Sequence, residues 1–139
     1  MYHEMTYRVP YADTDRMGVV YHANYLVYFE RGRNEMLREA GLPYSEMERR
    51  GVIFPVSEAF CRYHAPARYD DLLTFRTWIS EIRGARIKIS SNVLCNGKLL
   101  VSGHIILASV TSELKITRLP AEIVDVCKKF IWNEEETEK

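Results

Sequence analysis

Residues 24–41 read NYLVYFERGRNEMLREAG, a run without proline long enough for about five helical turns. Apolar side chains recur at Leu26, Phe29, Met36, Leu37 and Ala40, which is one face of a 3.6-residue period, with Asn24 at the capping position and Gly41 at the stop. Gly32 in mid-helix costs about 1 kcal/mol relative to Ala, so a close packing contact is expected there. Arg31 and Glu35 sit one turn apart with opposite charge, on the solvent side.

Outward from this helix the period changes to two. Ile87, Ile89, Ser91 and Val93 alternate with Lys88, Ser90 and Asn92, and Asn96-Gly97 separates that run from residues 99–110. Asn-Gly between two alternating runs predicts a type I′ hairpin. Residues 72–82 form a further long strand that turns at Arg83-Gly84, and residues 52–63 another, whose Pro55 points to a sheet edge. A fifth strand is expected over 7–12. The last element, 120–131, carries Pro120 at a helix start and apolar residues at Ile123, Val124, Cys127, Phe130 and Ile131. The order is strand, long helix, four strands, short helix. It predicts an α+β domain with a five-stranded antiparallel sheet wrapped around one long central helix. The sheet's free face and edges then call for a homo-oligomer, dimer or tetramer.

Composition fits a single compact domain. With 139 residues the chain buries roughly two-thirds of its surface on folding, enough for a core without metal or disulfide staples. No linker, repeat or low-complexity tract interrupts residues 1–132, and 133–139, NEEETEK, reads as a charged tail. Lys and Arg total 19 against 19 Asp and Glu, which argues against nucleic acid or an anionic membrane as the main partner. The zero sums an acidic start, a basic body and an acidic end. Cys61, Cys95 and Cys127 are odd in number and widely spaced, as reduced thiols of a cytoplasmic protein would be. Neither a signal peptide nor a membrane-spanning helix is expected.

Chemistry concentrates in residues 11–24, YADTDRMGVVYHAN, which gather two carboxylates, a glycine turn, a histidine and a helix start. A helix N-terminus offers unpaired N–H groups and positive potential to a developing oxyanion. A carboxylate just upstream, Asp15, can act as nucleophile or as general base for a water. The same DRMG is also an ordinary type I turn, Asn24 an ordinary cap, and His22 a residue that simply packs. His3, His22, His64 and His104 show no HExxH or Cys/His spacing, so no metal is expected. Walker, GxGxxG and GxSxG motifs do not occur.

The stretch YADTDRMGVVYHANYLVYFERGRNEMLREAGL, continued by YHAPARYDDL at 63–72, resembles the signature of hotdog-fold acyl-CoA thioesterases. The class is the 4-hydroxybenzoyl-CoA thioesterase family, in its YbgC-like branch, and the resemblance covers residues 5–130. It implies hydrolysis of acyl-CoA to a free acid and coenzyme A, without cofactor or metal, at one site per subunit beside a subunit interface. Asp15 takes the part of the catalytic carboxylate, attacking the thioester carbonyl or activating water. His22 occupies the position whose backbone N–H polarises that carbonyl. Tyr21 is expected to line the acyl pocket and Asn24 to fix the helix start. Asp13 is expected to shape the loop, Glu30 to be structural, and Tyr63, His64 and Tyr69 to pack near the interface. A hotdog hydratase or dehydratase, and a non-catalytic acyl-CoA binding module, are the competing readings.

Overall fold

A computed structural model describes residues 1–42 and 44–133. The order is β1 (His3–Arg8), α1 (Asn24–Glu39), α2 (Tyr44–Arg49), β2 (Val56–Tyr63), β3 (Leu72–Arg83), β4 (Arg86–Cys95), β5 (Lys98–Ala108) and α3 (Ala121–Cys127). The five strands form one antiparallel sheet in the order β1-β3-β4-β5-β2. The α+β class and the five-stranded sheet are as the sequence predicts. The charged tail lies outside the described residues from position 134 onward.

Helix α1 buries Tyr25, Tyr28, Phe29, Gly32, Arg33, Met36 and Leu37, a stripe at three- and four-residue spacing. Leu26, which the sequence places on the apolar face, instead stands 38% exposed. The reason is that Tyr25 and Tyr28 find hydroxyl partners inside, which lets two tyrosines take the inward positions. The start also differs from expectation. Ala23 holds the capping position with no side-chain bond, and Asn24 is the first helical residue. The stop is as expected: Gly41 has φ +87, its N–H bonds Arg38 O at 3.0 Å, and Leu42 N–H reaches back to Leu37 O at 2.9 Å. This is a Schellman ending, sealed by the burial of Leu42.

The sheet presents Leu73, Phe75, Thr77 and Ile79 of β3, with Ile89 and Val93 of β4 and Val101 and Ile105 of β5, all buried on the helix side. Asn96 and Gly97 both have positive φ, 51° and 79°, which makes the β4–β5 connection the expected I′ hairpin. Edge strand β2 is exposed along almost its whole length, Val56, Phe60 and Tyr63 included. Four elements depart from the sequence reading. Strand β2, expected from Val52, begins at Val56, after Pro55. The first strand runs His3–Arg8, because Pro10 leads into a 3-10 turn at Tyr11–Asp13. Helix α2 has no counterpart among the expected elements. The last helix ends at Cys127; a 3-10 turn follows, and Ile131 bridges in parallel to Ile79.

Gly32 faces Thr77 so closely that a Cβ there would collide with the threonine hydroxyl. Gly32→Ala should therefore lower stability by about 1–3 kcal/mol in urea denaturation, although Ala is the better helix former. Adding Thr77→Ala should recover most of that loss; a stabilised single variant would show that α1 is free to back away from β3.

Candidate active site

Between β1 and α1 the chain makes a miniature hairpin. Thr14 bridges to Val20, Asp15 N–H bonds Val19 O at 2.9 Å, and Gly18 N–H bonds Asp15 O at 3.0 Å with Gly18 at φ +77. Asp15 Oδ1 accepts the Met17 N–H at 2.8 Å, which fixes the carboxylate against its own turn. The turn expected from DRMG is thus present, and it also orients the carboxylate. The returning arm is tied to the segment after β2: Val19 bridges to Arg68, and Val20 N–H bonds Ala67 O at 2.8 Å.

His22 stands at the entrance to α1. Its carbonyl accepts the Tyr63 hydroxyl at 3.1 Å, and its ring meets the Tyr21 and Tyr63 rings at centroid separations of 4.5 and 6.5 Å. Tyr25, one turn on, uses its hydroxyl to accept the Ala67 N–H at 3.2 Å. These contacts close a cleft of about 380 Å³ whose lining includes Asp15, His22, Tyr25, Tyr63 and His64. The fold therefore brings Asp15 and His22 to one cavity across the α1 N-terminus.

Tyr21 and Asn24 are not in that lining. Tyr21 is 48% exposed on the rim beside His22. Asn24 does not cap the helix; its Nδ2 donates to Asp13 O at 2.9 Å and so pins the first turn to the loop. Asp13 turns away from the cleft toward Tyr7 and Tyr28, each hydroxyl donating to Oδ2 at 2.8 Å. Glu30 is exposed on α1. Tyr63 and His64, expected to pack, are part of the lining, and His64 Nε2 lies 3.0 Å from Ser102 Oγ. Tyr25 joins the lining from the buried stripe of α1. Among the described residues no group of three or more His, Cys, Asp and Glu is arranged to hold a metal ion. No helix among them is long and apolar enough to cross a membrane.

Residues 9–128 match the model of the thioesterase-like superfamily. The chain belongs to that family. Within it, this thioesterase-like chain is 36% identical over 119 residues to the acyl-CoA thioester hydrolase YbgC of Escherichia coli, covering 84% of this chain and 89% of that one. A hypothetical protein of Aquifex aeolicus superimposes with TM-score 0.87 at 31% identity, over 91% and 99% of the two chains. A structure of 4-hydroxybenzoyl-CoA thioesterase shares the fold at TM-score 0.83 and 22% identity, over 91% and 99%. The family resemblance drawn from residues 11–42 and 63–72 is sustained by these matches.

Tyrosines held by burial contribute to the alkaline limit of this thioesterase-like fold. Burial, and then the Asp13 carboxylate, raise the Tyr7 and Tyr28 hydroxyls above the ordinary phenol value of 10.0, and burial raises Tyr25. A raised folded-state value favours folding below the unfolded phenol pKa, and that contribution is lost as pH climbs past it, since only the unfolded chain then ionises. Thermal melting between pH 8 and 11.5 should show Tm falling above about pH 10. The fall should be shallower in a Tyr7→Phe, Tyr28→Phe variant; equal slopes would remove the assignment.

Proposed function

We propose that this chain is an acyl-CoA thioester hydrolase in which Asp15 acts on the thioester carbonyl while the His22 N–H and the α1 N-terminus hold its oxygen. The reading is carried by one observation: Asp15, oriented by Met17 N–H, and His22, at the helix start, line the same cleft. The family match and the YbgC relative support the substrate class.

The thioester carbonyl oxygen sits toward the His22 amide and gains negative charge as the carbonyl carbon is attacked, where the helix dipole and N–H groups stabilise it. With Asp15 Oδ1 held by Met17, Oδ2 is the oxygen that acts. By one route it bonds to the carbonyl carbon, the C–S bond breaks, coenzyme A leaves as thiolate and takes a proton, and water hydrolyses the mixed anhydride. By the other, Oδ2 takes a proton from water as that water attacks the carbonyl carbon, the C–S bond of the tetrahedral intermediate then breaks, and the departing thiolate takes the proton back from Asp15. Label found in Asp15 after one turnover in ¹⁸O-water would establish the anhydride route, because only that route can place it there. Asn24 fixes the first turn of α1 through Asp13, and Tyr21 meets the acyl group at the rim.

In this reading residues 1–132 form one hotdog domain, the sheet wrapped around α1 as its central helix, working in the cytoplasm. Its exposed β2 edge is covered by a second copy, giving a homodimer or tetramer. Light scattering on the purified chain should return two or four times the monomer mass; a monomer that hydrolyses acyl-CoA at full rate would remove the need for a partner.

Asp15→Asn keeps the shape and loses the charge. Thiol release from acyl-CoA should fall by about 100-fold or more while the melting temperature stays within a few degrees. A wild-type rate in that variant would move the chemistry to another residue.

A further inference from the structure

The Asp13 side chain faces away from the cleft, yet Asp13 takes four hydrogen bonds from three parts of the fold. Its Oδ2 accepts the hydroxyl of Tyr7, on β1, and the hydroxyl of Tyr28, in the second turn of α1, both at 2.8 Å. Its backbone oxygen accepts the Tyr21 N–H at 3.0 Å and Asn24 Nδ2 at 2.9 Å. Its own N–H donates to Pro10 O at 3.1 Å, closing the 3-10 turn.

Two short routes therefore leave Asp13. One is covalent, through Thr14 to Asp15. The other crosses the Asp13 O to Tyr21 N–H bond and reaches the next residue, His22. We infer that Asp13 is a positioning residue: it is the bridgehead that sets the distance between the Asp15 carboxylate and the His22 amide, anchored to the sheet and the helix through Tyr7 and Tyr28. This inference rests on the reading of Asp15 as the carboxylate that acts on substrate.

The anchor is stiff for reasons outside the loop. The Tyr28 ring stacks on Phe75 with centroids 5.1 Å apart, and the Tyr7 ring lies 5.0 Å from Tyr28 and 5.5 Å from Phe75. The Arg31 guanidinium covers the Tyr7 ring at 5.0 Å. Both hydroxyls are thus delivered from rings packed into the core, and they converge on one oxygen. Two O–H donors on a single acceptor suit a carboxylate, whose charge strengthens both bonds. Burial and the same carboxylate raise both phenols, so they remain donors at neutral pH and well above it.

Reactions of this kind depend steeply on geometry, and a displacement near 1 Å at the reacting atoms costs roughly 100-fold in rate. Asp13→Ala removes the anchor. Its kcat for acyl-CoA should fall by about 30- to 100-fold while KM stays within about threefold, since the cleft walls from β2 onward are untouched. Tyr7→Phe with Tyr28→Phe leaves Asp13 in place, opens no cavity, and should lose most of the same kcat, which keeps the test alive if Asp13→Ala folds poorly. Combining all three substitutions should add little beyond Asp13→Ala, because both act through one link.

Asp13→Asn distinguishes positioning from direct chemistry. A carboxamide oxygen can still accept both hydroxyls, so Asn should restore much of the kcat lost in Ala. An Asn variant as inactive as Ala would make Asp13 itself the reacting carboxylate and overturn the inference. So would effects of the tyrosine pair that simply add to those of Asp13→Ala. Wild-type protein inert toward short, long and aromatic acyl-CoAs would instead overturn the thioesterase reading, and the inference with it. Active wild type with an unimpaired Asp13→Ala variant would overturn the inference alone.

Discussion

How deeply α1 sinks into the sheet is decided where Gly32 meets Thr77, and much of the molecule follows from that depth. With no side chain at 32, the helix axis comes down onto β3, and Tyr28, Phe29 and Met36 on either side are fully buried. Gly103 repeats the arrangement farther across the sheet, where a Cβ would meet the ring of Phe29 and the backbone of Phe60. A helix held at that depth has a fixed N-terminus. The cleft beside that start keeps its shape because the middle of the helix is unable to rise.

Asp13 and Asp15 show how little a residue's type decides its role. Both are half-buried aspartates of one loop, two positions apart. One spends its carboxylate on two core tyrosines; the other accepts the Met17 N–H of its own turn and faces a cavity. The difference comes from the 3-10 turn at Tyr11–Asp13, which rotates the first carboxylate inward before the miniature hairpin carries the second outward.

Features written in neighbouring residues are legible in the sequence itself. The long helix with its Gly41 stop, the Asn96-Gly97 hairpin, the edge position of the strand after Pro55 and the loop holding Asp15 and His22 all depend on spacing within a few residues. What escapes such a reading depends on partners far along the chain. Leu26 and Tyr25 exchange faces because Tyr25 finds Ala67, 42 positions away. Tyr63 and His64 enter the cleft because β2 ends beside the α1 entrance, with Tyr63 bonded across 41 positions to His22. The first strand begins at His3, four residues before the alternation is read, because its pairing runs along β3 from Arg8 opposite Leu72 to His3 opposite Thr77; its stop before Pro10 is local.

The strand order β1-β3-β4-β5-β2 also has a consequence in time. The strands β3, β4 and β5 are joined by short turns and can pair as soon as they exist, whereas β1 must wait for β3 and β2 must wait for β5. Asp15 and His22 leave the ribosome early, attached to a strand and a helix that as yet have nothing to pack against. The cleft walls from Tyr63 to Pro66 are therefore held only once β5 is there to pair with β2, and a chain interrupted before β5 carries the side chains of the cleft without the strand that gathers them.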